Sequence, residues 1–105
     1  MAISEISVED LDERLAEGGR LIDVRQPYEF DEAHVAGAVL VPLATVPDNV
    51  DAFRGSTDVY VICKTGARSR RACEFLAAQG IEAVNVAGGT LAWVNSGREY
   101  VTGTA

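Results

Sequence analysis

The chain has 105 residues, 48% of them apolar, which fits one domain with a substantial core. A formal net charge of −7 argues against nucleic acid or an anionic membrane surface as partner. The sequence offers no apolar run of the ~20 residues that span a bilayer, no signal-peptide pattern at Met1-Ala2-Ile3-Ser4-Glu5, and too few cysteines for a disulfide framework, so the expected setting is reducing and cytoplasmic.

In chain order, residues 3–6 read as a short first strand. Ser7 reads as an N-cap, with Val8, Leu11 and Leu15 on one helical face and Gly18-Gly19 as the stop. Leu21-Ile22-Asp23-Val24 reads as a second strand. An acid inside an apolar strand needs a partner if buried, and Arg25 is the nearest cation, so a structural ion pair is favoured over a catalytic role for Asp23. Pro27 marks a turn or a first helical position ahead of Tyr28-Glu29-Phe30. His34, the only histidine, is read as a capping or loop-anchoring residue rather than a general base. With Cys63 and Cys73 it matches no common zinc spacing. Residues 38–41 read as a third strand ending at Pro42, residues 43–50 as one or two short helices, and Val59-Tyr60-Val61-Ile62 as a buried central strand. A helix over about 69–79, a fifth strand over 81–86, and a turn at Gly88-Gly89 into a short helix around Trp93 follow. The tail from Arg98 is expected to pack through Tyr100 and Val101 and to fray at its end. Alternating strands and helices imply a mostly parallel sheet covered on both faces.

Between the central strand and the next helix lies Cys63-Lys64-Thr65-Gly66-Ala67-Arg68-Ser69. A thiol at the carboxyl end of a strand, beside Lys and Arg and before a helix N-terminus, sits where its pKa is lowered and where open α/β sheets place their ligands. Lys64, Arg68, Arg70 and Arg71 put four of the nine basic residues into the eight positions 64–71, whereas twelve of the sixteen acids precede residue 55. One basic spot on an acidic chain points to a small anionic substrate, the alternative for Arg70 and Arg71 being a solvated helix start. Cys73 reads as a small buried hydrophobe rather than a resolving thiol.

These residues resemble a known pattern. Asp23-Val24-Arg25 with Glu29-Phe30, His34-Val35-Ala36-Gly37-Ala38, the Cys63–Ser69 loop in its C-x-x-G-x-R-S form, and Gly88-Gly89 with Trp93 are similar to four successive motifs of the rhodanese homology domain. The likeness implies a single domain over 1–105 with its core at about 3–95. It implies a five-stranded parallel sheet in the order 1-5-4-2-3, with Asp23, Arg25 and Glu29 supporting the cysteine loop by ion pairing, Arg25 with Glu29 being one expected pair. It implies a sulfurtransferase that passes sulfane sulfur from a thiosulfate-like or persulfide donor to cyanide, a thiol or a partner protein through a Cys63 persulfide, with no cofactor and no metal.

Such chemistry needs an ionised thiol. At a pKa of about 8.5 only ~3% is thiolate at pH 7; a fall of ~2 units makes about three-quarters of it thiolate, for ~2.7 kcal/mol. Loop N–H groups freed to turn inward by Gly66, the helix dipole and Arg68 are the expected sources, with Thr65 and Ser69 hydroxyls facing the sulfur or the helix start and Lys64 and Arg68 drawing the anion. The rival readings are a non-enzymatic sulfur carrier and, less favoured, a cysteine-dependent phosphatase or arsenate reductase. Arg68 follows Cys63 in a C-x4-R loop, one residue short of the C-x5-R that cradles phosphate.

Overall fold

The run Val59–Ile62 forms β4, in the middle of a five-stranded sheet, and every residue of it is buried. A computed structural model describes residues 3–103. The other strands are β1 (Glu5–Ile6), β2 (Arg20–Asp23), β3 (Val39–Leu40) and β5 (Ala83–Val86), ordered β1-β5-β4-β2-β3 with parallel pairing throughout. Asp23 pairs with Ile62, so β2 and β4 end side by side at the edge where the cysteine loop begins.

The two-residue period of a strand assigns the core. Val59, Val61 and Cys63 join Ile22, Val24, Ala72, Cys73 and Leu76 in one buried cluster, on the side of α3 (Ala67–Ala78). Tyr60 and Ile62 join Leu21, Val86, Leu11 and Trp93 in the other, on the side of α1 (Val8–Ala16) and α4 (Gly89–Asn95). Leu11 and Leu76 are fully buried; truncating either to Ala removes about 2–5 kcal/mol. The remaining helix, α2 (Pro27–Glu32), has Pro27 in its first turn.

Ser7 caps α1 by accepting from the Asp10 N–H at 3.1 Å. Other boundaries differ from expectation for identifiable reasons. β5 starts at Ala83 because the Ile81 N–H is already committed to Leu76 O at the end of α3. The short helices expected over residues 43–50 are two 3-10 helices, Leu43–Asp48 and Val50–Phe53, the second running past residue 50, with Pro47 unable to donate an i→i−4 bond. α3 begins before Ser69 because Gly66 takes the cap. In the tail Val101 pairs with His34, but Tyr100 is exposed rather than packed. The expected fraying falls on residues 104–105, outside the described residues.

Candidate active site

Cys63 continues the alternation of β4, so its side chain enters the α3 side of the sheet. The chain then turns back on it. Gly66 adopts φ +109°, a backbone that only glycine takes without strain. Its N–H donates to Cys63 Sγ at 3.1 Å, and the Ser69 hydroxyl lies 3.3 Å from the same sulfur. Burial pushes the thiol pKa up. Hydrogen bonds from the Ser69 hydroxyl and from the N–H groups of Ser69, Gly66 and Thr65 outweigh it, and the net direction is down. Ser69 is therefore no N-cap. It stands inside the first turn of α3 and faces the sulfur.

A second glycine holds the loop from outside. Gly89 has φ +60°, and a Cβ there would come within 2.5 Å of both Cys63 O and Lys64 O. That close approach lets the first turn of α4 donate to the loop: Thr90 N–H to Cys63 O at 2.8 Å and Leu91 N–H to Lys64 O at 3.0 Å. The Gly88-Gly89…Trp93 pattern thus fixes the carbonyls of the loop whose N–H groups fix the sulfur. Trp93 seats α4 in the core, and its indole N–H donates to Glu99 O at 2.8 Å.

Behind Ser69 lies a chain of polar groups that the sequence reading missed. The Ser69 hydroxyl contacts Asn85 Oδ1, and Asn85 Nδ2 donates to Gly66 O at 3.2 Å and to Glu5 Oε2 at 2.9 Å. Arg70 donates to the same Glu5 oxygen at 3.1 Å, so it is not a purely solvated charge. Asn85 is 1% exposed. The signal was available: an amide inside a strand covered on both faces must find partners there.

The charged residues divide into two pairs. Arg25 grips Asp23 through Nε at 3.0 Å and through its terminal nitrogen at 2.8 Å, and that terminal nitrogen also donates to Ala33 O at 2.7 Å. This buried pair ties β2 to the end of α2, the structural role expected of Asp23. Glu29 does not pair with Arg25. It takes both terminal nitrogens of Arg68, at 2.7 and 2.9 Å, because the start of α3 faces α2 across the loop mouth. The Arg68 hydrogen bonds hold the Glu29 pKa at about 2 against an opposing push from burial, and Glu29 in turn raises that of Arg68. Arg68 is thus already engaged by a carboxylate. Lys64 is exposed and, among the described residues, enters no ion pair. It borders a hollow of about 280 Å³ lined also by Tyr28, Glu29, Thr90, Leu91 and Val94. Thr65 and Ala67 complete the loop with exposed side chains.

His34 lies outside this constellation. Its Nδ1–H donates to Phe30 O at 2.8 Å, its ring stacks on Phe30 at 3.7 Å, and its backbone bridges to Val101. Cys73 is a free buried thiol whose pKa burial drives up to about 12. No cluster of three His, Cys, Asp or Glu side chains suited to a metal ion occurs among the described residues.

The family model described as Rhodanese-like domain matches residues 7–96. A protein named sulfurtransferase from Allochromatium vinosum is 36% identical over 102 residues, covering 94% of this chain and 95% of its own length. A protein named putative sulfur carrier protein YrkF from Bacillus subtilis is 33% identical over 95 residues, covering 88% of this chain and 51% of its own. The crystal structure of a rhodanese-related protein from Thermoplasma volcanium superposes with a TM-score of 0.87 at 30% identity, over 93% of this chain and 97% of the other.

Proposed function

This chain belongs to the rhodanese-like domain family, and from that premise we propose that it is a sulfurtransferase carrying a sulfane sulfur as a persulfide on Cys63. The observation that carries the reading is one buried sulfur met by the Gly66 N–H at 3.1 Å and the Ser69 hydroxyl at 3.3 Å, at the start of a helix whose first N–H groups also lower the thiol pKa. Such a nest stabilises negative charge without a separate base. In the first half-reaction the Cys63 thiolate attacks the outer sulfur of thiosulfate. A new S–S bond forms, the bond to the sulfonate sulfur breaks, and sulfite leaves with its electron pair. The negative charge then resides on the outer sulfur of Cys63. In the second half-reaction an acceptor nucleophile, cyanide or a thiolate, takes that sulfur and the Cys63 thiolate is restored. No cofactor enters either step.

Lys64 supplies an uncommitted positive charge that draws a small anionic donor. Arg68 holds the loop mouth through Glu29. A phosphatase needs its loop arginine to wrap the phosphate, and the bidentate grip of Glu29 on Arg68, together with the C-x4-R spacing, disfavours that use. Arsenate reduction is disfavoured on the same spacing. The acceptor is cyanide in the test tube and a thiol or a sulfur-accepting protein in a reducing cytoplasm. The sulfur-carrier name of the Bacillus subtilis relative supports a protein acceptor, with thiosulfate:cyanide turnover then incidental.

Intact mass spectrometry after thiosulfate treatment tests the reading. The expected gain is one sulfur, ~32 Da, reversed by thiol and absent in Cys63→Ser. No gain, with phosphate released from an aryl phosphate instead, would overturn it.

A further inference from the structure

Ser69 has one hydroxyl hydrogen and three acceptors in reach: Cys63 Sγ at 3.3 Å, Gly66 O at 3.2 Å and Asn85 Oδ1. The amide of Asn85 decides where that hydrogen rests. Nδ2 lies against Glu5 Oε2 and Gly66 O, which only accept, so the amide cannot be turned round. Oδ1 must then face Ser69, and an amide oxygen also only accepts. The hydrogen therefore belongs to Asn85 whenever the sulfur carries none of its charge, and the lone pairs of Ser69 are left toward Sγ.

We propose that Asn85 is a positioning residue which, by holding the Ser69 hydroxyl hydrogen, opposes the bare Cys63 thiolate and favours the sulfur-loaded cysteine. While Cys63 is a neutral thiol, S–H donates to Ser69 Oγ and Ser69 donates to Asn85. When the thiol loses its proton to solvent, the Ser69 hydroxyl must rotate to Sγ, and the buried Asn85 Oδ1 loses its donor. When sulfur is loaded, charge leaves Sγ for the outer sulfur and the hydroxyl returns to Asn85. The rotor thus has one resting place for each state, and Asn85 biases it toward the loaded one. This last step rests on the persulfide reading; the effect on the thiol does not.

The charged and titratable groups around Cys63 are Lys64 in the loop, Arg68, Arg70 and Cys73 on α3, Glu29 of α2 through Arg68, and Glu5 of β1 through Asn85. Among the described residues, none of these donates a hydrogen bond to Sγ, whereas the Gly66 N–H does and the Ser69 hydroxyl does once the sulfur is ionised. Loss of the Asn85 side chain therefore acts on the sulfur through the Ser69 hydroxyl.

The test is the pH dependence of Cys63 alkylation by iodoacetamide in Asn85→Ala and in the volume-matched Asn85→Leu, with thermal unfolding to establish that each variant folds. The expected midpoint moves down by roughly 0.5–1 pH unit, the size of one neutral hydrogen bond. In a Ser69→Ala background the same substitution at Asn85 shifts nothing. A merely structural Asn85 would loosen Gly66 and move the midpoint up, so an upward or absent shift in whichever variant folds overturns the proposal. Alkylation needs no sulfur donor, so its outcome is separate from that of the thiosulfate mass experiment. Where loading does occur, its equilibrium constant falls about 3–10-fold in Asn85→Ala, matching the midpoint shift.

Discussion

Cys63 and Cys73 lie in the same apolar cluster, each 1% exposed, yet their thiols are driven in opposite directions. Burial raises the pKa of both. Cys73 projects from the middle of α3, where the helix ladder occupies the backbone N–H groups, so burial acts almost unopposed and the thiol rises to about 12. Cys63 stands before the first turn of the same helix, where N–H groups have no intrahelical acceptor. Gly66 folds those donors back onto the sulfur. Reactivity here follows from position relative to a helix end, and depth in the core does not set it.

The largest effect that sharpens this contrast is loss of the sulfur itself. Cys63→Ser abolishes thiocyanate formation from thiosulfate and cyanide. Cys73→Ala leaves kcat within about 2-fold and costs roughly 1–2 kcal/mol of stability, read from urea unfolding. A Cys73→Ala enzyme without activity would break the comparison.

Next in size is a change that pushes Cys63 toward the behaviour of Cys73. Gly66→Ala forces a side chain into φ +109° and uncurls the loop. The Cys63 alkylation midpoint then moves up by about 1–2 pH units, and kcat/KM at neutral pH falls roughly 10–100-fold. Ser69→Ala goes the same way by less, about 0.5–1 unit, because one donor is lost and the N–H nest remains. In the unaltered enzyme the rate falls as pH drops through the depressed thiol pKa, while Cys73 stays protonated until about pH 12, so a single thiol titrates in the working range.

The same geometry explains what could be read from residues alone. The strand order came through the family resemblance, whereas the cysteine loop was legible because its motif is local in sequence and follows the uninterrupted apolar run of β4. The structural reading of Asp23 was legible because its partner lies two residues away. Glu29 was assigned the wrong partner for the opposite reason: Arg68 is 39 positions distant and meets it only because the loops after β2 and β4 share one edge. Asn85 and Gly89 act on the loop from 16 or more positions away, across the sheet, and no local pattern announces the contact. Short helices do form from residue 43, but as 3-10 rather than α, with Pro47 inside the first.

The smallest effect concerns the cations that flank Cys63. Glu29 neutralises Arg68 in a bidentate pair whose arginine is 34% exposed. Its carboxyl is held at about 2, below the usual 4.5, so its contribution to stability is complete above about pH 4.5 and is lost as pH falls through 2. With solvent screening at the arginine, that contribution is about 1–2 kcal/mol. Glu29→Gln removes it at neutral pH and flattens the acid limb of an unfolding curve across that window. The same substitution releases the Arg68 charge, which already senses the Cys63 sulfur. KM for thiosulfate then falls roughly 2–5-fold at low salt with kcat little changed, and the gain shrinks as salt is added. A rise in KM would mean that Arg68 serves the donor only while Glu29 holds it in place, making the pair part of the binding site rather than a brake on it.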